Sequence, residues 1–286
     1  MITKNEINDL KNNGYVKFPS LLNETEIKLI QEIADKKKKN QLNKKYIEWD
    51  DPILWKLICN KKIINILDNI FNKKYFYMHD SNVAEVEIGN NWSWHRDNPC
   101  RRTGYGPDWN KSSPYDVFTV IIYLSDSLKT STSLSVIPKS HKLAFKKSLN
   151  NLLRIIHLRL KKKKKFKFIK KIIQKIVSRE IKYKAGDMVL FYCNLYHSGL
   201  NFGNQDKTKR TAAVIRYGGE GSHSKNFINY ELNFRQGKLK YSLCENKDEF
   251  FNLLKNNNLY INPNIEKYNI DHVFIPQNED PDAIYY

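Results

Sequence analysis

The spacing of apolar residues along this chain changes character near residue 75. Before that point the apolar positions recur every three to four residues. Ile27, Ile30 and Ala34 fall on one helical face, and Asn23 with Glu26 three residues on has the form of a capping box. The spacing predicts a helix over about 24–38. The segment "DDPILWKLICNKKIINILDNIFN" repeats the logic, with Asp51 as cap and Pro52 in the first turn. Ahead of both, "GYVKF" alternates as a short strand does. From residue 75 onward the apolar residues come in short runs rich in Tyr, Phe, Val and Ile: "YFYMH", "NVAEVEIG", "DVFTVIIYLSD", "SLSVIPKSH", "KAGDMVLFYCNLYH" and "RTAAVIRYG". Separated by Gly, Pro, Asn and Ser turns, these read as strands. Helices followed by strands predict an α+β arrangement, mainly β with flanking helices, in which a sheet sandwich or jelly roll carries helices on one face.

One segment breaks the strand texture. Over residues 145–182, Ile169, Ile172, Ile173 and Ile176 form one helical stripe and Lys167, Lys171, Lys175 and Arg179 another, which predicts a basic amphipathic helical insert. Three roles fit it: a solvated helix docked by its apolar side, a contact with an anionic membrane surface, or a lid over an anionic substrate. The stretch from 245 to 286 is expected to be a C-terminal extension over the surface, with "NEDPDAIYY" as a tail. No internal repeat is visible, and one domain spanning 1–286 accommodates all of these parts.

Composition sharpens the picture at two points. Of the formal net charge of +19, much is local: between His157 and Lys182 there are 12 Lys or Arg and one acid, Glu180. Phosphates, anionic lipid or acidic substrates are therefore the expected partners, whereas nucleic acid is not expected, because the basic run is interleaved with aliphatic residues rather than stacking aromatics. The second point is compartment. No apolar run reaches the length of a membrane span, the N-terminal stretch lacks the apolar core of a secretory signal, and Cys59, Cys100, Cys193 and Cys244 form no close pairs. A cytoplasmic protein, peripheral at most to a membrane, is expected.

Candidate chemistry centres on "NNWSWHRDNPC". Residues two apart on an extended segment point to the same side, so His95 and Asp97 would face one cavity, offering an imidazole and a carboxylate of the kind a ferrous ion accepts. The competing reading is a surface ion pair. A further ligand must come from far along the chain. His197 is placed at the far end of the apolar strand in "AGDMVLFYCNLYHSG", and thirteen residues later Arg210 opens "RTAAVIRY". A fixed guanidinium beside a metal site suits a dicarboxylate held by its distal end, since the planar fork pairs with both oxygens. Lys209 is a rival for that ion pair. His141 in "PKSH" reads as a structural turn residue, and His79, His157, His223 and His272 have no partner at ligand spacing. Trp92, Trp94 and Tyr123 read as core, and Arg96 and Asn98 flank the pair within reach of a substrate.

Taken in order, "GYVKFPSLLNETEI", "WHRD", "SVIPKSH", "KAGDMVLFYCNLYHSGLN" and "RTAAVIRY" resemble the phytanoyl-CoA dioxygenase family of Fe(II)- and 2-oxoglutarate-dependent oxygenases over roughly residues 14–218. The resemblance implies a double-stranded β-helix, the cupin-like jelly roll. It implies His95, Asp97 and His197 as ligands to Fe(II), and Arg210, together with Ser198, as contacts to the 2-oxoglutarate carboxylate. The family pattern is His-X-Ser-Gly, whereas Ser198 follows His197 directly. The implied reaction consumes dioxygen and 2-oxoglutarate and hydroxylates a small-molecule substrate, for which phosphorylated, CoA-bound and lipid-linked compounds are all candidates. A carboxylate at position 97 disfavours halogenation, which needs that coordination position for chloride. The alternative is a non-catalytic jelly roll that docks on anionic membrane or nucleic acid through its basic insert.

Overall fold

The computed structural model of the protein describes residues 2–41, 51–72, 74–89, 94–97, 115–142, 172, 175–203, 207–233 and 244–261 of the 286-residue chain. The N-terminal helices begin where side chains satisfy the first free backbone N–H groups. Helix α1 (Lys4–Asn13) starts in a capping box: the Glu6 N–H donates to Thr3 Oγ1 at 3.2 Å and the Thr3 N–H donates to Glu6 Oε2 at 2.7 Å. It ends at Gly14, whose φ of 91° lies in the left-handed region. After strand β1 (Tyr15–Phe18), helix α2 (Glu24–Gln41) opens on the predicted box, with Asn23 Oδ1 accepting from the Glu26 N–H at 2.9 Å and Glu26 Oε2 accepting from the Asn23 N–H at 2.8 Å. The next apolar run is two helices, α3 (Pro52–Ile58) and α4 (Lys61–Phe71). Asn60 breaks it, because its side chain accepts from the Lys62 N–H at 2.9 Å and starts a second helix.

The strands are β2 (Tyr75–Gly89), β3 (Val117–Tyr123), β4 (Thr132–Val136), β5 (Arg179–Ile181), β6 (Met188–Tyr192), β7 (His197–Asn201) and β8 (Lys207–Gly219). A single turn, α5 (Ser127–Thr130), lies before β4, and helices α6 (Ser222–Asn233) and α7 (Lys247–Asn256) follow β8. All pairings are antiparallel and make a five-stranded sheet in the order β1-β6-β3-β8-β2 and a three-stranded sheet in the order β5-β4-β7. This is the jelly roll with flanking helices that the sequence predicts.

Period-two alternation sorts the two cores. On β3, β6 and β8 the residues Val120, Ile122, Met188, Leu190, Ala213, Ile215 and Tyr217 turn toward the helices, where they meet Leu10, Ile33, Leu54, Ile58, Ile63 and Leu67. Their neighbours Ile121, Tyr123, Val189, Phe191 and Ala212 turn the other way and pack between the sheets against Leu134, Val136 and Ile181. Each such fully buried side chain contributes about 1.5–3 kcal/mol of transfer free energy. The C-terminal part is less peripheral than predicted: Phe250 and Leu254 of α7 and Leu259 are fully buried in the helix-side core, and Phe250 stacks on Trp55 at 5.5 Å. Residues 262–286 lie outside the described residues.

Three further expectations are revised. "YFYMH" and "NVAEVEIG" are one strand, β2, carrying a register break between Tyr77 and Ser81. His197 does not end a strand: β6 stops at Tyr192, a turn follows, and His197 is the first residue of β7. Arg179–Ile181, placed at the end of the basic helical insert, is strand β5 paired with β4. Most of the predicted insert is outside the described residues; within it, residues 175–177 are helical and the stripe residues Ile172 and Ile176 are exposed.

Candidate metal centre

The segment 94–97 carries two of the proposed ligands because it is held as one more extended stretch beside β7. His95 and His197 exchange both backbone hydrogen bonds, each at 3.0 Å, and the Asp97 N–H donates to the Cys193 carbonyl at 2.8 Å. Alternation then sends His95 and Asp97 toward the space between the sheets and Arg96 the opposite way. There the Arg96 guanidinium lies 4.0 Å from the centre of the Tyr196 ring and donates from Nη2 to the Ser140 carbonyl at 3.1 Å. Trp94 packs with Ile137 and Tyr196 on that same side. Arg96 thus fixes the segment rather than facing a substrate, and Asn98 is outside the described residues.

Three side chains far apart in sequence meet here. His197 Nε2 stands 3.4 Å and His95 Nε2 3.7 Å from Asp97 Oδ1, and the ligand atoms of all three residues lie within 4.8 Å of one another. Two atoms bound at right angles to one ion, each at about 2.1 Å, are about 3 Å apart, so these spacings fit a shared ion with small adjustments. The orientation of each ligand is set from behind. His197 Nδ1 lies 3.0 Å from the Leu195 carbonyl, which can only accept, so Nδ1 carries the proton and Nε2 presents its lone pair. The Phe191 ring, 4.7 Å away, packs against the same imidazole.

Asp97 is nearly buried, and two donors hold its outer oxygen. Oδ2 accepts from the Thr119 hydroxyl at 2.7 Å and from Arg216 Nη2 at 3.2 Å. Burial pushes the carboxyl up, but the charged groups around it, the Arg216 guanidinium foremost, hold Asp97 well below the usual carboxylate range. The Thr119 oxygen is also 3.0 Å from Cys193 Sγ. Burial raises that thiol above its ordinary range, so Cys193 stays neutral and can donate to Thr119, whose own proton is given to Asp97.

Arg210 lies on the inward face of β8 with Ala212, Val214 and Arg216. Its Nε and Nη1 are buried and have no hydrogen-bond partner among the described residues, and its guanidinium carbon is 5.6 Å from the Tyr123 ring centre. The Tyr123 hydroxyl, two residues along β3 from Ile121 on the same inward face, is buried beside that guanidinium and meets no acceptor among the described residues, and burial raises its pKa. A cation and a phenol left without acceptors between two sheets form a receptor for a carboxylate. Lys209 points to the other face and pairs with Glu85 at 3.4 Å, so it does not compete for that place. Ser198 also turns away: adjacent to His197 on β7 it faces the opposite side, its hydroxyl donating to the Gly199 carbonyl at 3.1 Å, and the position that shares the His197 face is Gly199. The structure therefore does not bring Ser198 to the carboxylate receptor. His141 is structural, as predicted: its ring stacks on Tyr192 at 4.7 Å, and burial lowers its pKa to about 4.

Sequence reasoning missed Thr119, Arg216 and the role of the Tyr123 hydroxyl. The alternation in "RTAAVIRY" already placed Arg216 on the Arg210 face.

Residues 10–209 match the sequence profile of the phytanoyl-CoA dioxygenase (PhyH) family. The chain belongs to that family. No curated protein sequence matches the chain. Among solved structures, family-like folds recur at low identity. HygX from Streptomyces hygroscopicus, solved with nickel and 2-oxoglutarate bound, is 13% identical with a TM-score of 0.54 over 77% of this chain and 88% of that one. EctD from S. alaskensis, solved with 2-oxoglutarate and 5-hydroxyectoine, is 14% identical with a TM-score of 0.53 over 76% of each chain. SnoK, an alpha-ketoglutarate-dependent carbocyclase from nogalamycin biosynthesis, is 17% identical with a TM-score of 0.51 over 76% of this chain and 84% of that one. These likenesses establish the shared jelly roll of the family. The phytanoyl-CoA dioxygenase profile spans every residue of the centre except Arg210 and Arg216, which follow its end on the same strand, β8.

Proposed function

We propose that the protein is an Fe(II)- and 2-oxoglutarate-dependent oxygenase that hydroxylates a small molecule. The observation that carries this reading is the convergence of His95, Asp97 and His197 on one point, with Arg210, whose Nε and Nη1 are buried without a hydrogen-bond partner among the described residues, on a strand that also reaches that point. Two imidazoles and one carboxylate are the donor set of ferrous oxygenases and leave coordination positions open for other ligands. Iron, when bound, supplies the coupling of 2-oxoglutarate decarboxylation by dioxygen to insertion of oxygen into a C–H bond, giving succinate, carbon dioxide and an alcohol.

The chain's own residues bind and orient. Arg210 takes the distal carboxylate of 2-oxoglutarate in a charge-assisted pair, and the Tyr123 hydroxyl adds a donor from the facing strand. The apolar walls of Ile121, Phe191 and Ala212 keep water from that pair, which strengthens it. His197, with its proton fixed on Nδ1, and Asp97, with its outer oxygen occupied, are preset as metal ligands before any metal arrives.

The test is iron- and 2-oxoglutarate-dependent succinate formation under air, run with a panel of anionic and neutral candidate substrates. Succinate in excess of a no-iron control is expected, increasing with a true substrate. No succinate with any member, together with no binding of 2-oxoglutarate to the Mn(II)-loaded protein, would overturn the reading. The basic run between His157 and Lys182 supports an anionic substrate, whether phosphorylated, CoA-bound or lipid-linked. Exposure of Ile172 and Ile176 beside lysines favours a second, compatible reading in which the protein rests peripherally on anionic lipid. Sedimentation with phosphatidylserine vesicles is expected to fall in an Ile172→Asn/Ile176→Asn variant, and equal sedimentation would remove the lipid reading.

A further inference from the structure

Strand β2 departs from regular pairing at one place. Tyr77 pairs with Tyr217 and Ser81 with Ile215, so Met78, His79 and Asp80 together stand opposite the single residue Arg216 of β8. His79 adopts a φ of 54°, in the left-handed region that a residue other than glycine enters at a cost. Irregularities of this kind next to a site re-aim a side chain, and here the side chain is Asp80. Its carboxylate pairs with Arg216 Nη1, while Nη2 of the same guanidinium lies 3.2 Å from Asp97 Oδ2. Arg216, Asp80 and Asp97 are all nearly buried, with side-chain exposures of 11%, 14% and 10%.

We propose that Arg216, braced by Asp80, is a positioning residue that holds Asp97 as a one-oxygen metal ligand. The inference rests on the reading that His95, Asp97 and His197 bind a metal. Arg216 and the Thr119 hydroxyl together occupy Oδ2, so the carboxylate cannot swing to offer both oxygens, and Oδ1 is left facing the two Nε2 atoms. Charge explains why the brace is needed. An arginine paired with Asp97 alone would cancel the negative charge that a divalent cation requires. With Asp80 included, the two carboxylates and one guanidinium keep a formal net charge of −1. The planar fork is also essential, because its two terminal nitrogens reach different carboxylates at once, which a lysine ammonium cannot reproduce. A purely structural role would be an ion pair that ties β2 to β8 and leaves metal binding indifferent to the identity of the cation.

The experiment is calorimetric titration of Mn(II) into the full-length wild-type protein and into the R216K, D80N and H197A variants, with Co(II) visible absorption of each at saturating metal. R216K keeps the charge opposite Asp80 and is expected to bind Mn(II) 10- to 100-fold more weakly, the usual effect of losing an outer hydrogen-bond partner, with an altered Co(II) spectrum. D80N is expected to weaken binding in the same direction. R216K with wild-type or tighter affinity and an unchanged spectrum overturns the proposal. Should R216K not fold, D80N decides, and wild-type affinity in D80N overturns it equally. H197A separates the two levels: if H197A also binds like the wild type, the metal reading itself fails, whereas if H197A loses the metal and R216K does not, only the positioning role is lost.

Discussion

Replacing Arg210 by methionine should stabilise the protein while disabling it. Methionine fills much of the same volume but removes Nε and Nη1, two buried donors without acceptors. A buried donor left unsatisfied costs about 1–3 kcal/mol. Melting temperature shifts by about 2–4 °C per kcal/mol for chains of 150–250 residues. Taking the low end for each of the two donors, about 2 kcal/mol in all, the Mn(II)-loaded R210M protein without cosubstrate is expected to melt about 4–8 °C above wild type. Cosubstrate binding should move the other way. Truncating one partner of a buried charge pair costs about 2–5 kcal/mol. At 1.4 kcal/mol per decade, that lowers 2-oxoglutarate affinity by about 30-fold to a few thousand-fold. Thermal denaturation with and without 2-oxoglutarate reads both effects: at a concentration of about 100 wild-type Kd the wild type gains about 2.7 kcal/mol, and R210M should gain at most about 0.9 kcal/mol. A variant that melts below wild type, yet keeps the full 2-oxoglutarate shift, would show that Arg210 is a structural cation and refute the reasoning.

Lys209→Gln, which breaks only the exposed pair with Glu85, is expected to leave 2-oxoglutarate affinity within about twofold of wild type, since surface pairs contribute about 0–1 kcal/mol; a loss comparable to that of R210M would reassign the carboxylate contact. Gly186→Ala should lower the melting temperature by several degrees, because Gly186 sits at a φ of 88° and a Cβ there would lie 2.5 Å from the Leu22 carbonyl oxygen; an unchanged melting temperature would contradict the packing of this turn. Burial lowers the pKa of His79 to about 4, below its unfolded value near 6.5, so the unfolded chain binds more protons between those values. The resulting stabilisation, on the order of 3 kcal/mol, is complete above about pH 6.5 and is lost as pH falls toward 4. Denaturant unfolding from pH 7.5 to 4.5 should show a shallower decline in His79→Asn than in wild type, and parallel declines would count against a neutral buried His79.

Much of this fold was legible because its signals are local. The capping box at Asn23, the cap at Asp51 and the short apolar runs of β3, β6 and β8 depend only on neighbouring residues, and each is present. The Thr3 and Glu6 box of α1 carried the same signal and could have been read. The long strand β2 looked like two because its irregularity introduces polar residues, His79, Asp80 and Ser81, where a regular strand would pair. Likewise Tyr192 to His197 read as one apolar strand, because the turn that separates β6 from β7 contains no Gly or Pro. In the candidate site, the three converging residues His95, Asp97 and His197 were accessible through spacing and residue type. Their supports were not. Thr119 and Arg216 matter only because β3 and β8 lie side by side under Asp97, a relation set by sheet order rather than by any short motif. Ser198 lies on the face opposite His197 for the reason that decides every strand residue: a shift of one position moves a side chain to the other side.

The central claim is that residues 95, 97 and 197 hold one ion between the sheets. Stoichiometry of Fe(II) or Mn(II) binding under anaerobic conditions, measured on wild type and on H197A, tests it most directly. One ion per wild-type chain, lost in H197A without loss of the folded circular dichroism spectrum, is the expected result; an H197A protein that binds one ion as tightly as wild type would contradict it.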